Sequence, residues 1–258
     1  MRAKKSYGQH FLAQPEVARQ IAESVSLEGV DQLLEVGPGR GMLTRFLLER
    51  GVPLLAVEAD RDMVAELHGA FPAWAPEAVT SADFLRVDLA ALLQNRPTAL
   101  VGNFPYNISS QIVVRLVDHR GLFPRMTGMF QRELAERVLV PPGSKTYGAI
   151  SVLAQAYYAG EVVLHVKPGS FSPPPKVQST VIALERLPKA EWPDADEAVL
   201  RRVVRAAFQQ RRKMLRNSLR GLWPELPADD AALARRPEQL SVGEFADLAR
   251  RVAAATAT

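Results

Sequence analysis

Cysteine is absent from the 258 residues, which excludes a disulfide framework and any thiolate metal site. Histidine is scarce. His10, His68, His119 and His165 are scattered, none at metal-ligand spacing to another, so no metal is expected. No run of 18 apolar residues occurs, so no membrane-spanning helix is expected. The basic N-terminus lacks the apolar core of a secretory signal, and a cytoplasmic location is expected. Repeats and low-complexity segments are also missing. Overall charge is nearly balanced, with 32 Lys+Arg against 28 Asp+Glu and a formal net charge of +4. A surface for nucleic acid must therefore come from clustering rather than from the total. What remains is an ordinary globular composition, 47% hydrophobic and 23% charged, long enough for one large core or a core plus a small domain.

Four predicted strands end in residues with chemistry. Gln32–Val36 is an apolar strand running into Gly37-Pro-Gly39-Arg-Gly41, and a helix is predicted over Met42–Glu49. Strand, glycine turn and helix open a doubly wound α/β fold. The turn lacks the third glycine of the G-x-G-x-x-G fingerprint, because Met42 stands there. This argues against a pyrophosphate and leaves room for a ligand such as S-adenosylmethionine. The strand Pro53–Glu58 ends in an acid about 20 residues on, where a ribose diol is held in such folds. Ala78–Asp83 ends in a second acid able to accept from an adenine amine. The fourth strand ends at Asn103. All four ends share the carboxyl edge of one predicted sheet, where these folds bind ligands.

The stretch Asn103-Phe104-Pro105-Tyr106 adds a distinct chemistry. Pro105 has no N–H and holds Phe104 extended, so the Phe104 carbonyl is expected to lack a ladder partner. Beside the Asn103 amide oxygen it makes two adjacent acceptors for one amino group. Tyr106 offers a flat face to a base. The same residues also suit a plain strand–turn connection.

Helices are predicted over Glu16–Val25, Ser109–Asp118, Glu133–Val140 and Gly148–Tyr157, and strands over Arg125–Gln131, Val162–Val166 and Ser179–Leu184. A turn-rich basic loop spans 141–147, and Phe171–Val177 is a rigid proline segment. After a linker at Leu187–Pro193 the chain changes character. Leu200, Val203, Val204, Ala207 and Phe208 repeat at helical spacing. Among and beyond them lie Arg201, Arg202, Arg205, Arg211, Arg212, Lys213, Arg216 and Arg220, with no acid between Ala198 and Trp223. A solvated face normally mixes signs, so this run points to a phosphate surface, with Arg201, Arg205, Arg211, Arg212, Lys213 and Arg216 as its candidate contacts. Ser241-Val-Gly-Glu244 is a capping box opening a last helix.

These motifs, in this order, resemble the ribosomal RNA adenine dimethyltransferases, the KsgA/RsmA family. Tyr7–Leu12 resembles the family's N-terminal cofactor segment, and Glu35–Gly41 its S-adenosylmethionine loop. Asn103-Phe-Pro-Tyr106 resembles its Asn-Leu-Pro-Tyr motif, with Phe104 a departure at a position used for its carbonyl. Phe171–Ser179 and Phe208–Leu219 resemble its proline segment and its C-terminal helical motif. The resemblance runs from about Ser6 to Ala249. It implies a Rossmann-like methyltransferase core with a mostly parallel seven-stranded sheet over 1–187, and a small all-α RNA-binding domain over 194–258. It implies S-adenosyl-L-methionine held by Gln9, His10, Leu12, Gly37, Gly39, Glu58, Asp83 and Asn103. The implied catalytic set is Asn103, Phe104, Pro105 and Tyr106, with Phe171 closing the far side of the base. The implied substrate is a pair of adjacent adenosines in the 3′-terminal hairpin loop of 16S rRNA, each dimethylated by a monomeric enzyme on an immature small subunit. A large-subunit rRNA adenine methyltransferase of the erythromycin-resistance type, or a non-catalytic assembly factor, are the alternatives.

Overall fold

The computed structural model describes residues 10–223 and 225–256. In chain order the elements are β1 (Phe11–Leu12), α1 (Pro15–Ser24), β2 (Gln32–Val36), α2 (Thr44–Leu48), β3 (Leu54–Glu58), α3 (Arg61–Ala70), β4 (Val79–Ser81) and α4 (Leu89–Leu93). Then follow β5 (Thr98–Asn103), α5 (Ser109–Asp118), β6 (Arg125–Gln131), α6 (Arg132–Leu139), α7 (Ala149–Gln155), β7 (Tyr158–Val166), β8 (Phe171–Ser172) and β9 (Ser179–Arg186). The last helices are α8 (Glu197–Gln209), α9 (Leu215–Ser218) and α10 (Val242–Thr256).

Seven strands form one sheet in the order β4-β3-β2-β5-β6-β9-β7. The pairs from β4 through β6 are parallel, and β9 runs antiparallel to β6. Every residue of β2 is buried, as are Thr98–Gly102 of β5. Such strands read as continuous apolar runs because helices cover both faces of a parallel sheet. The chain reverses its direction of travel across the sheet between β2 and β5, and at such a switch point the crevice lies beyond the carboxyl ends. Short acids start the helices that follow the strands: Asp60 accepts from the Asp62 N–H (3.1 Å) and Asp88 from the Ala91 N–H (3.1 Å). The sequence pattern predicts a strand from Val162. The observed β7 begins at Tyr158, because its largely exposed first half sits at the sheet margin, where backbone pairing needs no apolar alternation.

Two compact units divide the chain, 1–135 with 159–186, and 136–158 with 187–258. The expected split at 187 thus differs by one segment. Residues 136–158 group with the helical unit because Tyr147 and Val152 belong to the same buried cluster as Val203, Val204, Leu215 and Phe245. In that unit the predicted capping box is present: Ser241 Oγ accepts from the Glu244 N–H (3.2 Å), and Glu244 Oε2 accepts from the Ser241 N–H (2.8 Å). Among the described residues no helix is long and apolar enough to cross a membrane, and no cluster of His, Asp and Glu could hold a metal.

Candidate cofactor and base-binding site

A cavity of about 550 Å³ lies at the carboxyl edge of the sheet. The ends of β2, β3, β4 and β5 all reach it, bringing together His10, Leu12, Gly37, Gly39, Glu58, Asp83 and Asn103–Tyr106. Gln9 lies outside the described residues. Gly37, Gly39 and Gly41 have φ of +67°, +55° and +75°, the left-handed region that glycine adopts without steric cost. The aromatic ring of Phe11 lies over the turn. A Cβ built on Gly39 would stand 3.0 Å from it, and Arg40 caps the ring at 4.9 Å. β1 is held there by pairing with β8 and by the Ala13 N–H donating to the Ser170 carbonyl (2.8 Å).

The acids are tied to backbone. Glu58, 7% exposed, accepts from the Gly39 N–H at Oε2 (3.1 Å) and from the Asp60 N–H at Oε1 (2.8 Å). Each oxygen keeps a lone pair for a hydroxyl donor. Burial pushes its carboxyl above the ordinary range, against the pull of the two N–H groups. Asp83 accepts from the Leu85 N–H (2.9 Å). A third acid, Glu35, also lines the cavity. It is 1% exposed, accepts from the Thr44 hydroxyl (2.7 Å), and is raised from 4.5 to about 8 by burial, with the neighbouring Glu58 charge adding to the rise. Its signal in the sequence was an acid inside an otherwise apolar buried strand. Glycines that admit a close ligand and the carboxylates of Glu58 and Asp83 suit a cationic sulfonium cofactor, while Arg40 and Arg61 line the same cavity and Glu35 keeps its proton near neutral pH.

Asn103 Nδ2 donates to the His10 carbonyl (3.0 Å), which turns Oδ1 the other way as an acceptor. The Phe104 N–H donates to the Met129 carbonyl (3.2 Å), and among the described residues nothing donates to the Phe104 carbonyl. The Phe104 ring, 1% exposed, fills a slot left by two glycines: a Cβ on Gly128 would stand 2.1 Å from it and one on Gly102 2.8 Å. An isolated glycine inside the β6 run was the readable trace of that close approach. Pro105 packs 3.6 Å from where a Gly37 Cβ would be, joining the motif to the glycine turn. Tyr106 is fixed at its hydroxyl by Ser179 Oγ (2.6 Å), and the His10 ring stacks beside it at 5.4 Å. The His10 Nδ1 donates to the Pro173 carbonyl (2.9 Å), which can only accept. The proline segment thus acts through Pro173 and Ser179.

Phe171 pairs with Leu12 in the β1–β8 ladder, is 4% exposed within the buried core cluster, and is not among the residues that line the cavity. The basic run is also uneven. Arg201 pairs with Glu197 (2.8 Å), Arg211 donates to the carbonyls of Ser144 and Lys145, and Arg216 donates to the Ala228 carbonyl (3.0 Å). Arg205, Arg212 and Lys213 are exposed, and among the described residues their side chains make no hydrogen bond or ion pair.

Known proteins bear on this geometry. The family model described as ribosomal RNA adenine dimethylase matches residues 1–252. Ribosomal RNA small subunit methyltransferase A of Flavobacterium johnsoniae is 44% identical over 255 residues, covering 98% of this chain and 97% of the relative. The protein of the same description from Porphyromonas gingivalis is 45% identical, covering 95% of both. Among solved structures, a dimethyladenosine transferase from Plasmodium falciparum shares the fold with a TM-score of 0.74, at 23% identity over 93% of this chain and 96% of that one. The 23S rRNA methyltransferase ErmE superposes with a TM-score of 0.66, at 25% identity over 92% of this chain and 99% of that one. The match of fold, motif and sequence over nearly the whole length gives one conclusion: the chain belongs to the ribosomal RNA adenine dimethylase family.

Proposed function

We propose that this protein transfers methyl groups from S-adenosyl-L-methionine to the exocyclic amines of two adjacent adenosines in the 3′-terminal hairpin loop of 16S rRNA, two to each, during maturation of the small subunit. The observation that carries the reading is the pair of outward acceptors, Asn103 Oδ1 and the Phe104 carbonyl, at the mouth of a cavity lined by carboxyl groups. The near-full-length identity of about 44% to proteins described as small-subunit methyltransferases supports the choice of ribosomal target. The 25% identity to a 23S enzyme gives the rival target less weight.

When bound, the cofactor supplies an electrophilic methyl on a sulfonium. Glu58 holds its ribose hydroxyls and Asp83 its adenine amine. The target amine is a poor nucleophile, because its lone pair is delocalised into the ring. Asn103 and the Phe104 carbonyl take its two hydrogens and favour a tetrahedral nitrogen whose lone pair faces the methyl, so the contribution is one of positioning. The N–C bond would form as the sulfur–methyl bond breaks, leaving a neutral thioether, and the amine's proton would then pass to water. A monomethylated amine has one hydrogen left and uses one acceptor, and the first methyl lies beside the other. Tyr106, tethered by Ser179, stacks on the extruded base from the face away from His10. Arg205, Arg212 and Lys213 hold phosphates, and the protein acts as a monomer on the immature particle. The test is to incubate it with small subunits lacking the modification, and separately with large subunits, using labelled cofactor, and to map the label. Two adjacent dimethylated adenosines near the 16S 3′ end are expected. Label on 23S rRNA, or none, would overturn the reading.

A further inference from the structure

α5 begins directly after the catalytic loop. The Pro105 carbonyl accepts from the Ile108 N–H (3.1 Å) and from Ser109 Oγ (2.8 Å), so the helix start is locked to Asn103–Tyr106. Two turns on, Arg115 reaches away from the motif to a different loop. Its guanidinium donates to the Leu85 carbonyl (2.9 Å) and to the Val87 carbonyl, and it lies 5.7 Å from the centre of the Phe84 ring. That loop carries Asp83 and Phe84, both on the cavity wall. The loop is otherwise closed on itself, with the Asp83 carbonyl accepting from the N–H groups of Arg86 (2.9 Å) and Val87 (3.0 Å). The Ala82 N–H, on the cavity wall, donates to the Glu58 carbonyl (3.0 Å) and holds the start of this small turn, and the two carbonyls gripped by Arg115 hold its far end. Burial lowers the Arg115 guanidinium from its ordinary range, and the charges of Asp118, Asp83 and Asp88 offset this only in part.

We propose that Arg115 is a positioning residue for cofactor selectivity, which clamps the 83–88 loop to α5 so that Asp83 and Phe84 recognise the purine of the cofactor in register with the catalytic loop. Arg115 is outside the cavity lining and acts through the loop. A planar fork is the side chain that can span two carbonyls and lie against an aromatic ring at once; a lysine can hold only a single point. The inference rests on the reading of this cavity as the S-adenosylmethionine site.

The test uses calorimetry on the full chain with S-adenosylhomocysteine and with S-inosylhomocysteine, which replaces the purine amine with a carbonyl. Wild type should prefer the adenosyl form at least tenfold. Arg115→Met should weaken the adenosyl form about tenfold or more and the inosyl form far less, so that the preference falls to about threefold or below. The turnover rate at saturating cofactor should stay within about threefold. Arg115→Lys should lie between the two, and it carries the test if Arg115→Met does not fold. A purely structural role would lower the melting temperature and weaken both ligands alike, and equal weakening or an unchanged preference overturns the inference. Failure of wild type to bind either ligand would instead overturn the cofactor site itself, and the inference with it.

Discussion

The acids at the sheet edge and the cations of the helical unit are both clusters of ionisable side chains, yet the fold uses them differently. Glu58 and Asp83 spend backbone N–H bonds on being held still and keep lone pairs for a ligand. Of the six cations proposed for RNA, Arg201, Arg211 and Arg216 each engage at least one guanidinium nitrogen on the protein itself, and a donor so used is not offered to a phosphate. A carboxylate oxygen can accept twice, so tethering an acid prepares a site. A guanidinium that staples two carbonyls is taken out of one. Charge density alone therefore overstates the RNA surface and understates the cavity.

Substitutions at four places sharpen or break that contrast. The largest effect is expected at the acceptor pair. Asn103→Ala should reduce single-turnover methylation of immature small subunits by about a hundredfold or more, with cofactor affinity within a few fold, the scale of losing one group that acts in the transition state. Next is the tethered acid. Hydrogen bonds to charged groups contribute about 1.5–3 kcal/mol, so Glu58→Ala should weaken cofactor binding about ten- to a hundredfold in calorimetry. Because burial raises the Glu58 carboxyl, wild-type affinity should also begin to fall at a higher pH on acidification than an ordinary glutamate would allow, and Glu58→Gln should remove that dependence.

The cations come third. Charge reversal at Arg205, Arg212 and Lys213 should flatten the log–log salt dependence of RNA binding by about two units, at roughly 0.7 per phosphate contact. Alanine at Arg201, Arg211 and Arg216 should lower the melting temperature and leave that slope nearly unchanged. Equal slopes for the two triple variants would erase the distinction drawn between them. The smallest effect is at Glu35. Its carboxyl is held near 8 against an ordinary 4.5, so the folded protein keeps a proton that the unfolded chain gives up. The stability this contributes is complete below about 4.5 and is lost as pH rises through about 8. Glu35→Gln removes the titration, and its melting temperature should gain on wild type by several degrees between pH 5 and pH 8. A constant gap would mean that Glu35 is ionised throughout.

Much of the sheet edge was legible because parallel buried strands announce themselves as apolar runs, and their ends are marked by Gly37, Glu58, Asp83 and Asn103. The bounds of β2, α5 and β6 followed from the same pattern. What the pattern could not carry was any feature made by distant partners. His10 meets Asn103 and Tyr106 across more than 90 residues, and Ser179 reaches Tyr106 across 73. Phe171 read as a free aromatic in a proline segment, because the two-residue pairing that buries it is too short to leave a periodic trace. Phe104 looked like a departure from its motif until Gly102 and Gly128 supplied the slot for its ring. Residues 136–158 gave a helix but not its owner, since that depends on Tyr147 and Val152 finding the helical core.

The most direct measurement is a crystal structure of the protein with S-adenosylhomocysteine bound. The ribose hydroxyls should bond to Glu58, the adenine amine to Asp83, and the sulfur should lie beside Asn103, with the Asn103 amide still donating to the His10 carbonyl. A ligand seated outside this cavity, or an Asn103 turned so that its oxygen faces His10, would contradict the account.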